Sequence, residues 1–288
     1  MTVAVVSPGA MGTALGAALA RGGERMVATL EGRSERTARL AERAELELVP
    51  DLRSVLATAE VVLSVVPPEA APAVVSDVVR ASEGLEVGPL LVDLNAIAPA
   101  TVLGIASTAA AAGVDVVDGS ISGPPPWRPG TTRIYLSGAR ASEVVALPFA
   151  GVEVIVVGDE VGAASAVKMS TASVYKGTSA LLAQALLAAR ANGVLEHVLA
   201  DLESGSPELV RNLPRRLAMA ATKSERYVGE MDEIASTQAA AGLTPALFEA
   251  MADVYTAMAR TPLACESPEE LPPDLALETV LEQLAERR

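Results

Sequence analysis

The stretch TVAVVSPGAMG, residues 2–12, decides the fold of this 288-residue chain. It begins with an apolar, valine-rich run, which is typical of a strand buried on both faces. Proline and glycine then mark a tight turn, and the alanine-rich residues 10–22 that follow predict a helix. A strand, a glycine turn and a helix in this order predict the first unit of a parallel sheet with crossover helices.

The alternation of strand and helix continues to about residue 160. Strands are predicted at 2–7, 25–30, 61–66, 89–95, 114–122, 132–138 and 152–158, and helices near 10–22, 34–45, 68–82, 99–112 and 141–147. Few polar residues interrupt the strands, as expected for a sheet covered on both faces. The fold class is therefore α/β, and we expect a Rossmann-type, doubly wound sheet as an N-terminal domain over 1–160.

The sequence changes character after Gly158. Residues 161–193 contain no proline and end in Asn192-Gly193, a strong helix stop. A helix of roughly 28 residues would be about 42 Å long, which is too long for one compact layer, so we expect it to link two domains. Everything beyond it is predicted to be helical apart from a loop at 264–275. The second domain, 161–288, is therefore expected to be all-α after this long interdomain helix.

Composition excludes several classes of function. The net charge of −14 argues against nucleic acid and anionic membranes as partners, because phosphate binding requires a basic surface. The single cysteine, Cys265, and the single histidine, His197, argue against a disulfide, a metal centre and histidine-based catalysis. Aromatic residues make up 2%, so the core must consist of Ala, Val and Leu. With no signal peptide and no apolar run of ~20 residues, we expect a cytoplasmic protein.

The turn after the first strand has most of a dinucleotide-binding fingerprint, G-x-G-x-x-G. Gly9 and Gly12 hold the second and third glycine positions, where backbone approaches pyrophosphate and where helix packs on strand. Ser7 holds the first, which accepts a small residue if its φ stays negative, and the following proline favours that geometry. The residues expected to hold the phosphates at the helix N-terminus are Ser7, Pro8, Gly9, Ala10, Met11 and Gly12.

The choice between NAD and NADP depends on the end of the second strand, LEGRSERT (30–37). Glu31 would bind ribose hydroxyls and select NAD. Gly32, Arg33 and Ser34, with Arg36 nearby, would bind a 2′-phosphate and select NADP, since guanidinium pairs well with phosphate. Alternatively, these residues only begin the next helix, with Ser34 as its N-cap. We predict NADP, with NAD as the weaker alternative.

Five segments then follow in a recognisable order: GAMG (9–12), VVPPEAA (65–71), VDLNAIAP (92–99), DGSISGPPP (118–126) and VGAASAVKMS (161–170). This order resembles the β-hydroxyacid dehydrogenase superfamily, which includes 3-hydroxyisobutyrate dehydrogenase, 6-phosphogluconate dehydrogenase and, more distantly, imine reductases. The C-terminal half is similar to a subgroup described as 6-phosphogluconate dehydrogenase-like. The resemblance covers nearly the whole chain.

The resemblance implies roles for individual residues. Val66 and Pro67 would lie near the nicotinamide, Ser122 and Gly123 would hold the substrate carboxylate, and Lys168 would be the general acid/base. The sequence itself agrees on Lys168, which is the sole basic residue between Ala141 and Val174 and lies within an apolar helix. Burial there would disfavour its charged form and favour proton transfer. The alternative is a lysine that extends its ammonium group to the surface.

The chain departs from the family pattern beside this lysine. Family members have an asparagine four residues after it, where this chain has Ala172. Thr171 and Tyr175 share a helix face with Lys168, so either is a candidate for the missing polar group, although Tyr175 is equally explained by packing. Asn95 replaces a serine of the family and is expected to contact the nicotinamide amide or the substrate.

Three further side chains leave alternatives open. Trp127 either walls the substrate pocket or covers the edge of the sheet. Lys176 either binds an anionic substrate or is solvated. Glu230 is expected on a solvated helix face.

These residues together predict an NADP-dependent oxidoreductase. It would transfer hydride between the nicotinamide and a small hydroxyacid or ketoacid, and we expect a homodimer. An NADPH-dependent imine reductase is the first alternative. The second is a non-catalytic NADP-binding partner protein, which the presence of Lys168 with Ser122-Gly123 disfavours.

Overall fold

The computed structural model describes residues 1–85, 88–268 and 270–286. The chain forms two compact units, Met1–Met169 and Ser170–Arg288. The boundary between them lies inside the long helix, whereas the sequence prediction placed it at residue 160, before that helix begins.

A single mixed sheet organises the first unit. Its strands are β1 (Thr2–Val6), β2 (Arg25–Ala28), β3 (Glu47–Leu48), β4 (Val61–Ser64), β5 (Leu90–Asp93), β6 (Val116–Ser122), β7 (Thr132–Ser137) and β8 (Val152–Gly158). Their order is β3-β2-β1-β4-β5-β6-β7-β8, and every neighbouring pair is parallel except β6 with β7. This confirms the doubly wound α/β class. The sequence prediction missed β3, which has two exposed residues and therefore no hydrophobic pattern.

The helices of the first unit lie between these strands. They are α1 (Ala10–Arg21), α2 (Glu35–Arg43), α3 (Leu52–Thr58), α4 (Ala71–Ser82), α5 (Pro99–Ala110), α6 (Ala141–Val145) and the first turns of α7 (Ala163–Ala191). The five helices predicted before residue 160 are all present, and only α3 was missed. The 29-residue α7 ends just before Gly193, whose φ of +70° agrees with the predicted helix stop.

The second unit continues α7 with further helices. These are α8 (Leu195–Gly205), α9 (Pro207–Val210), α10 (Leu213–Ala221), α11 (Ser224–Ala240), α12 (Ala246–Met258) and α13 (Leu277–Ala285). The predicted loop 264–275 begins at the end of a 3-10 turn, Pro262–Cys265, and its residue Glu269 lies outside the described residues. Within the described ranges, no helix is both long enough and apolar enough to cross a bilayer.

Small aliphatic side chains fill both faces of the sheet. Val3 and Val5 point into one core layer, whereas Ala4 and Val6 point into the layer on the opposite face. Successive strand residues point to opposite faces, so both must be apolar when helices cover both. The core of the first unit consists mostly of Ala, Val and Leu, as the scarcity of aromatic residues predicted.

A buried ion pair joins α7 to α11 in the second unit. The ammonium group of Lys176 pairs with the carboxylate of Glu230 and lies 4.5 Å from the ring centroid of Tyr227. Tyr255, on α12, donates a hydrogen bond to the carbonyl oxygen of Lys176 at 2.7 Å. Glu230 is 2% exposed, so its predicted place on a solvated face is wrong. Lys176 pairs within the helical unit instead of projecting into solvent.

The turn between β1 and α1 differs from expectation at one residue. Ser7 has a φ of +62°, in the left-handed region, so the expectation of a negative φ is wrong. The amide of Gly9 donates to the carbonyl oxygen of Ser7 at 2.7 Å, which closes a three-residue turn centred on Pro8. A serine in this region is strained by roughly 1 kcal/mol relative to glycine. Ser7 therefore adopts a left-handed backbone conformation that glycine would adopt without this strain.

Candidate cofactor and active site

The carboxyl ends of five parallel strands, β1, β2, β4, β5 and β6, lie at one edge of the sheet. β1 pairs with β2 on one side and with β4 on the other, so the chain order reverses between β1 and β4. Ligands of doubly wound sheets bind at such a switch point. The segments predicted to bind cofactor and substrate all follow strands that end at this edge: residues 7–12, 31–34, 65–67, 94–95 and 122–123.

The two glycines of the turn meet different surroundings. A Cβ on Gly9 would have no atom of the protein within 4 Å, whereas a Cβ on Gly12 would lie 2.8 Å from Val5 Cγ1. Gly12 therefore lets α1 pack on β1, and Gly9 keeps the backbone open towards the outside of the fold. The first amides of α1 have no partner within the helix and form a natural anion site. This geometry fits a pyrophosphate.

The loop between β2 and α2 presents Arg33 to solvent. Ser34 is the N-cap of α2, and its Oγ accepts from the amide of Thr37 at 3.3 Å, as the alternative interpretation proposed. Gly32 has a φ of +67°, and Arg33 after it is exposed, with no side-chain partner in the part of the chain that the structure describes. The Arg33 guanidinium is therefore available to an anionic ligand at this edge.

Asn95 ties the loop after β4 to the end of β5. Its Oδ1 accepts from the amide of Val66 at 2.6 Å, and its Nδ2 donates to Ser64 Oγ at 3.0 Å and to Asp93 Oδ2 at 2.8 Å. The residue is 2% exposed. Both Nδ2 hydrogens are therefore donated inside the fold. The expected contact with nicotinamide or substrate stays a prediction. Within the protein, the Asn95 side chain fixes the position of Val66 and Pro67.

Asp93 is a buried acid that the sequence analysis did not identify. Its side chain is fully buried, and burial raises its pKa to about 7. The two hydrogen bonds that it accepts from Asn95 lower the pKa, and the nearby charge of Asp118 raises it again. An aspartate that directly ends a buried strand, two residues before an asparagine, was the available signal.

Lys168 lies beside the end of β6. Its Nζ donates to the carbonyl oxygen of Ile121 at 2.7 Å, immediately before Ser122 and Gly123. Gly123 has a φ of +107°, and a Cβ there would lie 2.2 Å from the carbonyl oxygen of Thr131, so only glycine fits. The structure thus brings Lys168 to the Ser122-Gly123 segment, and the lysine is half-buried rather than extended into solvent.

The remaining candidates are arranged differently. Thr171 follows Lys168 by one helical turn and is half-buried, Ala172 is 4% exposed, and Tyr175 is 70% exposed. Ala172 therefore offers no polar group, and Tyr175 is not a core residue. Trp127, in the loop after Gly123, is 48% exposed.

Two family profiles match the chain. Residues 2–148 match the NAD binding domain of 6-phosphogluconate dehydrogenase, and residues 189–258 match a domain of unknown function, DUF1932. The first match covers just over half of the 288 residues. No curated protein matches the chain.

Several solved structures share the fold. A conserved protein of unknown function, described as structurally similar to 3-hydroxyacid dehydrogenases, is 29% identical over 90% of this chain and 97% of its own, with a TM-score of 0.67. Mycobacterium tuberculosis 3-hydroxyisobutyrate dehydrogenase with L-serine is 22% identical over 99% of both chains, with a TM-score of 0.69. A Myxococcus stipitatus imine reductase in complex with NADP+ is 20% identical over 90% of this chain and 93% of its own, with a TM-score of 0.54. The last two likenesses show the fold alone.

The burial of Asp93 predicts how the free energy of unfolding depends on pH. In the folded protein Asp93 holds its proton up to about pH 7, whereas in the unfolded chain an aspartate ionises near pH ~4. The folded state therefore binds more protons between these values, and this group makes the free energy of unfolding fall as the pH rises through that interval. Asp93→Asn should remove that contribution.

Urea titrations at a series of pH values measure the effect as the difference between wild type and variant. Asp253→Asn, which removes an exposed carboxylate of the second unit, is the matched control for the substitution. An Asp93→Asn protein with the wild-type slope between pH ~4 and pH ~7 would show that Asp93 is not the source.

Proposed function

Since this chain belongs to the family of the NAD-binding domain of 6-phosphogluconate dehydrogenase, within the β-hydroxyacid dehydrogenase superfamily, we propose that it transfers hydride between NADP and a small hydroxyacid or ketoacid. Membership confirms the resemblance noted in the sequence and makes the protein an NAD(P)-dependent dehydrogenase or reductase. The observation that carries the proposal is the hydrogen bond from Lys168 Nζ to Ile121, beside Ser122 and Gly123.

The residues at the sheet edge suit NADP. Residues 7–12 would hold the pyrophosphate at the N-terminus of α1, and the exposed guanidinium of Arg33 would hold the 2′-phosphate. Val66 and Pro67, held in place by Asn95, would border the nicotinamide. When bound, the nicotinamide supplies the hydride chemistry, and the protein supplies position and proton transfer.

Lys168 would move the proton that accompanies hydride transfer. In oxidation its neutral amine would accept the proton of the substrate hydroxyl at Nζ, and in reduction its ammonium would return that proton to the carbonyl oxygen. The Ile121 carbonyl holds the ammonium form by accepting one of its three N–H bonds. Ser122 and the backbone of Gly123 directly follow Ile121 in the chain, and they would orient the substrate carboxylate. Thr171 and Tyr175 follow on the same helix as further polar candidates.

Reduction of a cyclic imine is the second candidate. The observation that favours it is Ala172, which is buried and lacks the amide that hydroxyacid dehydrogenases of this family carry there. The observation against it is Lys168, because imine reductases often lack a lysine at this place. A substrate panel of hydroxyacids, ketoacids and cyclic imines separates the two.

We also propose that the enzyme is a homodimer. Val174 and Leu181 are 63% and 62% exposed, and their seven-residue spacing places them on one face of α7. Leu247 on α12 is 55% exposed. A second copy of the chain would remove such apolar side chains from water, and light scattering of the purified protein decides between monomer and dimer.

Substitutions at Gly9 and Gly12 should distinguish an effect on cofactor binding from an effect on stability. Gly9→Ala should leave the melting temperature unchanged, because its methyl group meets no protein atom within 4 Å. It should weaken NADPH binding by about tenfold or more, since the methyl would occupy the approach to the pyrophosphate. Gly12→Ala is the matched control and should lower stability, because its methyl lies 2.8 Å from Val5 Cγ1.

Fluorescence titration with NADPH and thermal unfolding measure the two effects. A Gly9→Ala protein that binds NADPH as tightly as wild type would contradict the placement of the pyrophosphate at this turn.

Preference for NADP is expected to depend on Arg33. Arg33→Ala should weaken NADPH binding by about tenfold or more and leave NADH binding unchanged, because only NADPH carries the 2′-phosphate. Arg39→Ala removes another exposed arginine, one that pairs with Glu35, and should affect neither cofactor. Equal losses of NADPH and NADH affinity in Arg33→Ala would contradict the assignment.

Catalysis is expected to depend on Lys168. Lys168→Ala should lower kcat by about 100-fold or more while NADPH still binds. Lys168→Arg should be similarly slow, because a guanidinium keeps its charge but does not exchange a proton near neutral pH. Steady-state kinetics on the active member of the substrate panel measure both, and wild-type turnover in Lys168→Ala would overturn the proposed mechanism.

A further inference from the structure

We propose that Asp118 is a positioning residue for the reaction: its buried carboxylate fixes the start of α7 and thereby holds Lys168 Nζ at the end of β6. This inference rests on the proposed role of Lys168. Asp118 itself would touch neither substrate nor cofactor.

The Asp118 carboxylate accepts four hydrogen bonds around the first turn of α7. Its Oδ2 accepts from the amides of Gly162 at 2.8 Å and Ser165 at 3.0 Å and from Ser137 Oγ at 2.9 Å. Its Oδ1 accepts from Ser165 Oγ at 2.7 Å. Because these amides are at the positive end of the helix dipole, the carboxylate is a strong cap although it comes from a strand distant in sequence.

The Asp118 cap and the Lys168 hydrogen bond both connect β6 to α7. Ser165 and Lys168 are three residues apart on α7, so their side chains share a face. Asp118 and Ile121 lie on β6, which therefore contacts that face at both points. Ser137 strengthens the arrangement by accepting from the amide of Ala164 at 3.0 Å while it donates to the carboxylate. Because the lysine side chain is long and flexible, Lys168 Nζ stays at the Ile121 carbonyl only if the start of α7 is held in place.

Hydrogen-bond donors, rather than a salt bridge, surround the Asp118 carboxylate. The side chain is fully buried, and among residues 1–85, 88–268 and 270–286 no lysine or arginine forms an ion pair with it. Burial of an unpaired carboxylate is unfavourable unless donors surround it. Three donors from Gly162 and Ser165 at the start of α7, together with Ser137 Oγ on β7, meet that requirement. An amide in its place would turn an N–H group towards these donors, so the near-isosteric Asp118→Asn should loosen the helix start.

The test compares Asp118→Asn with Ser120→Ala in the full-length protein. Ser120 Oγ donates to the carbonyl oxygen of Ala164 at 2.8 Å, so its removal weakens the same β6–α7 contact but leaves the carboxylate cap. Asp118→Asn should lower kcat by about tenfold or more and displace the pH at which kcat is half-maximal, with unchanged NADPH affinity. Ser120→Ala should leave the pH profile in place.

A double variant separates positioning from general loss of structure. In a Lys168→Ala background, Asp118→Asn should cause no further loss of turnover, because its effect passes through the lysine. The inference would be overturned if the two substitutions lowered turnover additively, or if Asp118→Asn kept the wild-type pH profile of kcat. It would also be overturned if Ser120→Ala displaced that profile as far as Asp118→Asn does. If Asp118→Asn does not fold, Ser165→Ala replaces it in the test, because it removes one of the four hydrogen bonds. It should also displace the pH at which kcat is half-maximal, and an undisplaced profile would overturn the inference.

Different results would contradict the role of Asp118 and the proposed function. If Lys168→Ala keeps wild-type turnover, the proposed mechanism is wrong whatever Asp118 does. If Lys168→Ala is inactive while Asp118→Asn has wild-type kcat and pH profile, only the role of Asp118 is wrong.

Discussion

The parallel pairing of β1 with β4 is the contact on which the rest of the structure depends. It places a strand from the start of the chain beside one that follows three helices, and so sends later strands to the opposite side of the sheet. The crossover helices must cover both faces, which requires apolar residues at the four buried positions of β1, Val3–Val6. The same pairing gathers the loops after β1, β4, β5 and β6 at one edge, where the chemistry of the protein is concentrated.

Buried polar groups stabilise that edge because the sheet alone does not determine the shape of its loops. Asn95 connects β5 to the loop after β4, and Asp118 connects β6 to α7. Each is almost fully buried, and each has its hydrogen-bonding groups satisfied. Such groups favour one arrangement of neighbouring segments because any other arrangement leaves an unpaired polar atom in an apolar core. The aliphatic core provides the general driving force for folding, and these few groups provide the geometry of the site.

The sequence predicted the sheet and the long helix from their periodicity. The placement of Lys168 near Ser122 and Gly123 was implied by the family resemblance. Sequence reasoning failed where a side chain's partner is distant. Glu230 carries a surface-like signal, but its partner Lys176 lies on another helix. Ser7 adopts a positive φ because the turn to Gly9 outweighs the preference imposed by the following proline. Asn95 turns inward because Val66 and Asp93 need its amide, and no local pattern reveals this.

The scarcity of aromatic residues has a practical consequence for spectroscopy. Trp127 is the one tryptophan of the chain, and it is half exposed in the loop that follows Gly123 rather than buried in the core. Tryptophan emission from this protein therefore originates at a single surface position beside the candidate substrate segment. The intrinsic fluorescence will report events in that loop, such as a ligand settling against it, and will be a poor indicator of whether the aliphatic core has come apart.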